Sequence, residues 1–104
     1  MTIKINTDKT LSTDKRSSDF FIALINKTLQ RFESQITRVE VHLKDENGNK
    51  EGFNTVSCLL EARLEGRKPI AITNQANTID LALNGAIIKI KNALKKILGK
   101  IQKH

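Results

Sequence analysis

The chain reads as an α+β domain in the order β-α-β-β-β-α, a four-stranded sheet with two helices packed on one face. Three observations lead there. Apolar residues recur at steps of three and four in two long segments, residues 17–33 and 79–101. Before and between those segments they alternate with polar residues, the period of a strand with one buried face. Because each strand has a single apolar face, one helical layer suffices to cover the sheet, and that sheet is expected to be antiparallel.

In chain order, Ile3 and Ile5 alternate with Thr2, Lys4 and Asn6, a short first strand. Residues 7–15 are polar and without period, hence a loop. Asp14, Ser17 or Ser18 can then cap a helix, since their side-chain oxygens accept from its free N–H groups. Phe21, Ile22, Ile25, Leu29 and Phe32 extend that helix over 17–33. Val39, Val41 and Leu43 oppose Arg38, Glu40, His42 and Lys44 in a strand over 36–44. The cluster around Asn47-Gly48 is a turn, with a connection running to Gly52. Val56, Cys58, Leu60, Ala62 and Leu64 form the inner face of a strand over 54–65. After a turn at 66–69 comes a last strand over 70–73. Asn77 or Thr78 opens the second helix, with Asp80 near capping-box spacing from Asn77. Its core stripe is Ile79, Leu83, Ala86, Ile87, Ile90, Leu94, Ile97, Leu98 and Ile101. Gly85 interrupts this helix at a cost of about 1 kcal/mol relative to Ala.

The bulk numbers bound the function. The 104 residues, 38% apolar and 28% charged, make one domain spanning 1–104. The lone cysteine, Cys58, permits no intramolecular disulfide and fits a reducing, cytoplasmic location. No apolar run approaches the ~18 residues of a membrane span. The N-terminus lacks the apolar core of a secretory signal, so a complete cytoplasmic chain is expected. A net charge of +7 and a pI near 9.8 call for an anionic partner.

Catalysis finds no support. Cys58 falls on the apolar side of its strand, where a buried, inert thiol is expected. His42 falls on the polar side of its own strand, and His104 ends the chain, so no metal-ligand spacing arises. Asp45 and Glu46 belong to a turn. Glu61 and Glu65 alternate with Arg63 on an exposed sheet face, as cross-strand ion pairs would. We therefore expect no enzyme, no metal and no cofactor.

The strongest signal is the stretch from Leu81 to His104, which has six lysines and no acid. At ~100° per residue around Ile90, Lys89, Lys96, Lys100 and Lys103 fall on one flank, and Lys91 and Lys95 on the other. Favourable interaction with the helix dipole accounts for Lys100 and Lys103. It does not account for the absence of Glu or Asp, whose i,i+4 pairs with Lys would stabilise the helix. An anion-binding role does. A membrane surface is not the expected anion, because the apolar stripe is needed to cover the sheet. Leu81 and Ile88 lie opposite that stripe and are candidates for weak self-association or a partner contact. Four Phe and no Tyr or Trp argue against a sequence-reading stacking platform for single strands: Phe21 and Phe32 belong to the core, Phe20 to a flank, Phe53 to a loop. Recognition by phosphate charge and shape on structured RNA fits better.

Two runs carry a family resemblance. Ile36-Thr-Arg-Val-Glu-Val-His-Leu-Lys-Asp-Glu-Asn-Gly and Cys58-Leu-Leu-Glu-Ala-Arg-Leu-Glu-Gly-Arg-Lys-Pro-Ile-Ala-Ile-Thr resemble short ribosome-associated proteins of the hibernation-promoting factor/RaiA family. It is also called the sigma-54 modulation or ribosomal subunit interface family. Asn77-Thr-Ile-Asp-Leu-Ala-Leu-Asn-Gly-Ala is similar to the family's opening of helix two. The resemblance implies a double-stranded-RNA-binding-domain-like fold with an added strand. It implies a partner, the small ribosomal subunit and its ribosomal RNA, and a role in idling ribosomes under stress. It points to Lys89, Lys96 and Lys100 on helix two, with Lys27 and Arg31 on helix one, as RNA-binding residues, and to Lys91, Lys95 and Lys103 as supplementary contacts. The family's older name carries the alternative, a protein-interaction regulator of transcription without stable ribosome binding.

Overall fold

The structure, a computed structural model, describes residues 1–8, 11, 13–46 and 55–102, the side chains of 99–102 set aside. Strands β1 (Thr2–Thr7), β2 (Ile36–Asp45), β3 (Val56–Leu64) and β4 (Ile70–Ala76) lie side by side in that order. Helix α1 (Lys15–Thr28) joins β1 to β2, and α2 (Ile79–Gln102) follows β4. The expected order is therefore observed. The Asn47-Gly48 turn and Phe53 lie outside the described residues.

The sheet is mixed rather than antiparallel. β1 pairs with β2 in parallel, Ile3 beside Val39 and Ile5 beside Val41, while β2–β3 and β3–β4 are antiparallel. The reason is topological: a helix between two neighbouring strands carries the chain back to the end from which it started, so the second strand repeats the direction of the first.

The inner face of the sheet and both helices share one core. Val39, Val41, Cys58, Leu60 and Ala62 are fully buried with Ile25, Leu29 and Phe32 from the α1 region and Leu83, Ala86, Ile90 and Leu94 from α2. Both helices thus cover one face. The other face is solvent-exposed and carries a set of ion pairs. Glu40 lies 3.4 Å from Arg38 and 3.7 Å across the strands from Arg63, which also meets Glu61 at 3.3 Å. Cross-strand pairing of Arg63 is thus with Glu40; Glu65 lies past the strand end.

Both helices depart in detail from their periodicity. α1 is capped by Asp14, whose carboxylate accepts from the Ser17 N–H at 2.7 Å. That bond and one with the Ser17 side chain hold the Asp14 pKa below the usual carboxylate value. α1 stops at Thr28, five residues short of the expected end, and a 3₁₀ turn (Gln30–Phe32) replaces its last turn. The tighter turn still buries Phe32 completely, which is why the apolar spacing ran on past the helix. In α2 the cap is Thr78, which takes the Leu81 N–H on its side chain and the Ala82 N–H on its carbonyl. Asp80 therefore sits in the first turn, outside a reciprocal capping box. Ala82 joins the buried stripe, but Ile97 is 37% exposed.

Gly85 has a clear reason. A Cβ there would collide with the Asn74 carboxamide, which lies against the helix and donates to the Ala82 carbonyl at 3.0 Å. The glycine lets α2 approach β4 closely. Asn74 in turn lets β4 continue to Ala76, three residues beyond the expected end, because its inward polar group is satisfied by the helix.

Candidate nucleic-acid interface

The strand directions place the helices. β1, β2 and β4 run the same way, so α1 leaving β1 and α2 leaving β4 start at the same end of the sheet. There, Arg16, Ser17, Phe20 and Phe21 of α1 and Asp80 of α2 line a cleft of about 320 Å³. This cleft marks the flank of α2 that faces α1.

Two observations orient the lysines. Lys89 donates to the Thr73 carbonyl of β4 at 3.1 Å, so its flank faces the β4 edge of the sheet. There it lines a shallow polar cleft of about 410 Å³ with Ser57, Thr73, Asn74 and Gln75. Lys91 follows Asp80 by eleven residues, within about 20° of the same helical direction, so it lies on the flank facing α1. Lys95, one turn on, continues that flank and is exposed, and Lys91 is half-buried. On α1, Phe20 faces the cleft, and Leu24 and Lys27 follow it at steps of four and three. Arg31 comes a further turn on, in the 3₁₀ segment, with its guanidinium 5.0 Å from the centre of the Phe32 ring. Lys27 and Arg31 are both exposed.

By helical spacing Lys27 falls on the same flank of α1 as Phe20, and Lys91 and Lys95 on the flank of α2 that carries Asp80. Lys89 and Lys96 lie on the far side of α2, towards the β4 edge. The side chains of Lys100 and Lys103 lie outside the described residues. Helical spacing gives flanks in the sequence, but only packing shows which flank meets which neighbour.

The charge distribution favours this helical layer over the sheet. On the open sheet face Arg38 and Arg63 are engaged by Glu40 and Glu61, whereas α2 has one acid, Asp80, in its first turn. On α1, Asp19 is held by Lys15 at 3.0 Å. Cys58 is fully buried, and desolvation pushes its thiol from 9.0 up to about 12, so it is protonated and unreactive at neutral pH. His42 is exposed on the opposite face of the sheet, in register with Leu59. Among the described residues no three His, Cys, Asp or Glu side chains gather as a metal site, and no helix is long and apolar enough to cross a membrane. Sequence reading missed the Arg16–Phe20–Asp80 cleft; the one available hint was the Phe20-Phe21 pair, which cannot both face the core of a helix.

Among solved structures the chain is similar to the N-terminal domain of Protein Y from Thermus thermophilus, with a TM-score of 0.73 over 93% of this chain and 99% of that one, at 13% identity. It is also similar to a ribosomal subunit interface protein from Coxiella burnetii, with a TM-score of 0.72 over 95% and 99% of the two chains, at 14% identity. The chain has their fold. At such identities the likeness extends to architecture, which is the one the sequence resemblance implied. No protein-family model matches the chain, and no curated protein matches it significantly.

Proposed function

We propose that this protein is a non-enzymatic, cytoplasmic ribosome-associated factor that docks on the small ribosomal subunit and idles it. Its contacts are to ribosomal RNA through the basic faces of α1 and α2. The observation that carries the reading is the placement of charge: α2 carries Lys89, Lys91, Lys95 and Lys96 with Asp80 as its one acid among the described residues, whereas on the sheet face Arg38 and Arg63 are held by Glu40 and Glu61. The fold shared with a ribosomal subunit interface protein supports it. Lys27, Arg31, Lys91 and Lys95 make the principal phosphate contacts. Lys96 and Lys89 add to them from the β4 side, Lys89 by exchanging the Thr73 carbonyl for a phosphate, and Lys100 and Lys103 extend the surface. A rigid body seated this way occludes mRNA and tRNA without chemistry. The test is co-sedimentation with purified small subunits at low and high salt. Salt-sensitive pelleting is expected, and no pelleting at low salt overturns the proposal.

A second reading rests on Leu81 and Ile88, which are 57% and 61% exposed on the outer ridge of α2. In it, the ridge is a contact for a second copy or for a regulatory protein partner. Changing both to Ser tests it: loss of function with ribosome binding intact favours this reading.

A further inference from the structure

The cleft where the two helices begin has a chemistry that phosphate neutralisation does not use. Phe20 is 63% exposed beside it, an unusual setting for a large aromatic ring. Phe21 meets Phe20 edge-on, with ring centroids 5.9 Å apart at 65°, and is itself buried. The buried ring thus supports one edge of the exposed one. Arg16 and Asp80 line the same cleft from opposite helices, yet they form no ion pair with each other or with any described residue. An acid and a base that share a cleft without meeting leave one acceptor and one fork of donors open to a third party. The volume, about 320 Å³, is sufficient for a planar heterocycle.

We infer that this cleft binds a single extruded guanine nucleotide of the RNA, with the base stacked on Phe20. The Asp80 carboxylate, which can only accept, takes the adjacent N1–H and N2–H donors of the guanine edge as a bidentate pair. Adenine and cytosine each put a donor beside an acceptor on that edge, and uracil has one donor, so none fills both oxygens. Arg16 holds the nucleotide's phosphate with its guanidinium fork. An unstacked base read by one aromatic ring and one edge-binding side chain is a known economy of RNA recognition. The site lies at the head of the flanks that carry Lys27, Lys91 and Lys95, so those lysines supply affinity and the cleft supplies register. The inference deepens the ribosomal-RNA reading and rests on it for the biological source of the guanine.

The experiment is a titration of the isotope-labelled full chain with GMP, AMP, CMP, UMP and inorganic phosphate, followed by amide NMR shifts. GMP is expected to move Ser17, Phe20, Phe21 and Asp80 more strongly than the other ligands do. Phe20→Ala should weaken GMP binding by about tenfold or more, as loss of a stacked base does. Asp80→Asn should remove the preference for GMP while leaving the amide spectrum otherwise unchanged. Equal response to all four nucleotides, shifts reproduced by phosphate alone, or GMP shifts confined to the lysine flanks would each overturn the inference. Co-sedimentation of Phe20→Ala with small subunits separates the two proposals. Wild-type pelleting with no GMP response in any form of the protein ends the guanine site and leaves the ribosome reading standing. A selective GMP response without pelleting does the reverse.

Discussion

Gly85 and Cys58 show how single residues here answer to their neighbours. In an isolated helix Gly85→Ala gains about 1 kcal/mol. In this fold the new Cβ drives the Asn74 carboxamide off the Ala82 carbonyl, a hydrogen bond worth about 1 kcal/mol. We expect no net stabilisation from Gly85→Ala in the native chain. In an Asn74→Ala background it should stabilise by about 1 kcal/mol, so urea unfolding of the four proteins gives a positive coupling; identical effects in both backgrounds would mean that the helix does not press on Asn74. For Cys58, folding raises the thiol pKa from 9.0 to about 12. The folded chain keeps a proton that the unfolded chain releases. Stability is therefore whole below pH 9 and falls by up to about 1.4 kcal/mol per pH unit above it, until about pH 12. Urea midpoints between about pH 8 and about pH 10.5 should drop more steeply for the native chain than for Cys58→Ala, which has no thiol to titrate. The thiol should also resist alkylation until the chain unfolds.

At the scale of elements, α2 has two different basic sides. Its β4 side is partly occupied, since Lys89 is bonded to the edge strand, while its other flank, with Lys91 and Lys95, carries the Asp80 end of the cleft shared with α1. Charge reversal of Lys91 and Lys95 together with Lys27 should abolish small-subunit binding, and reversal of Lys89 with Lys96 should weaken it by about tenfold or less. A larger loss from the second set would put the RNA on the β4 side. All five side chains are exposed or half-buried and none belongs to the core, so both variants should keep the native circular dichroism spectrum.

For the whole molecule, the two faces divide the labour. On the open side of the sheet the arginines are engaged in ion pairs, and on the helical side the lysines of α2 have one acid for company, on a body with extents of 51 × 25 × 19 Å. If four lysine or arginine side chains replace counterions on RNA, affinity should fall on the order of a hundredfold between 50 and 200 mM salt, roughly as for duplex contacts. A flat salt response would rule out phosphate binding as the main source of affinity. Much of this was legible in the chain. The alternation of Val39, Val41 and Leu43 and the 3–4 spacing around Ile90 reflect burial of one face, which is a local repeat, so they fixed the order of elements and the count of lysines on each flank. Other features depend on residues distant in sequence. The parallel pairing of β1 depends on where α1 returns the chain. The meaning of Gly85 depends on Asn74. The partition of the lysines depends on which flank of α2 meets α1, and the cleft of Arg16, Phe20 and Asp80 exists only because two helix starts converge. By itself, then, the sequence determined the elements and the buried stripes, and its charge set the expectation of an anionic partner. The tertiary structure alone decided which neighbour each basic flank meets, because that is set by the packing of two helices across a sheet and not by the period of either one.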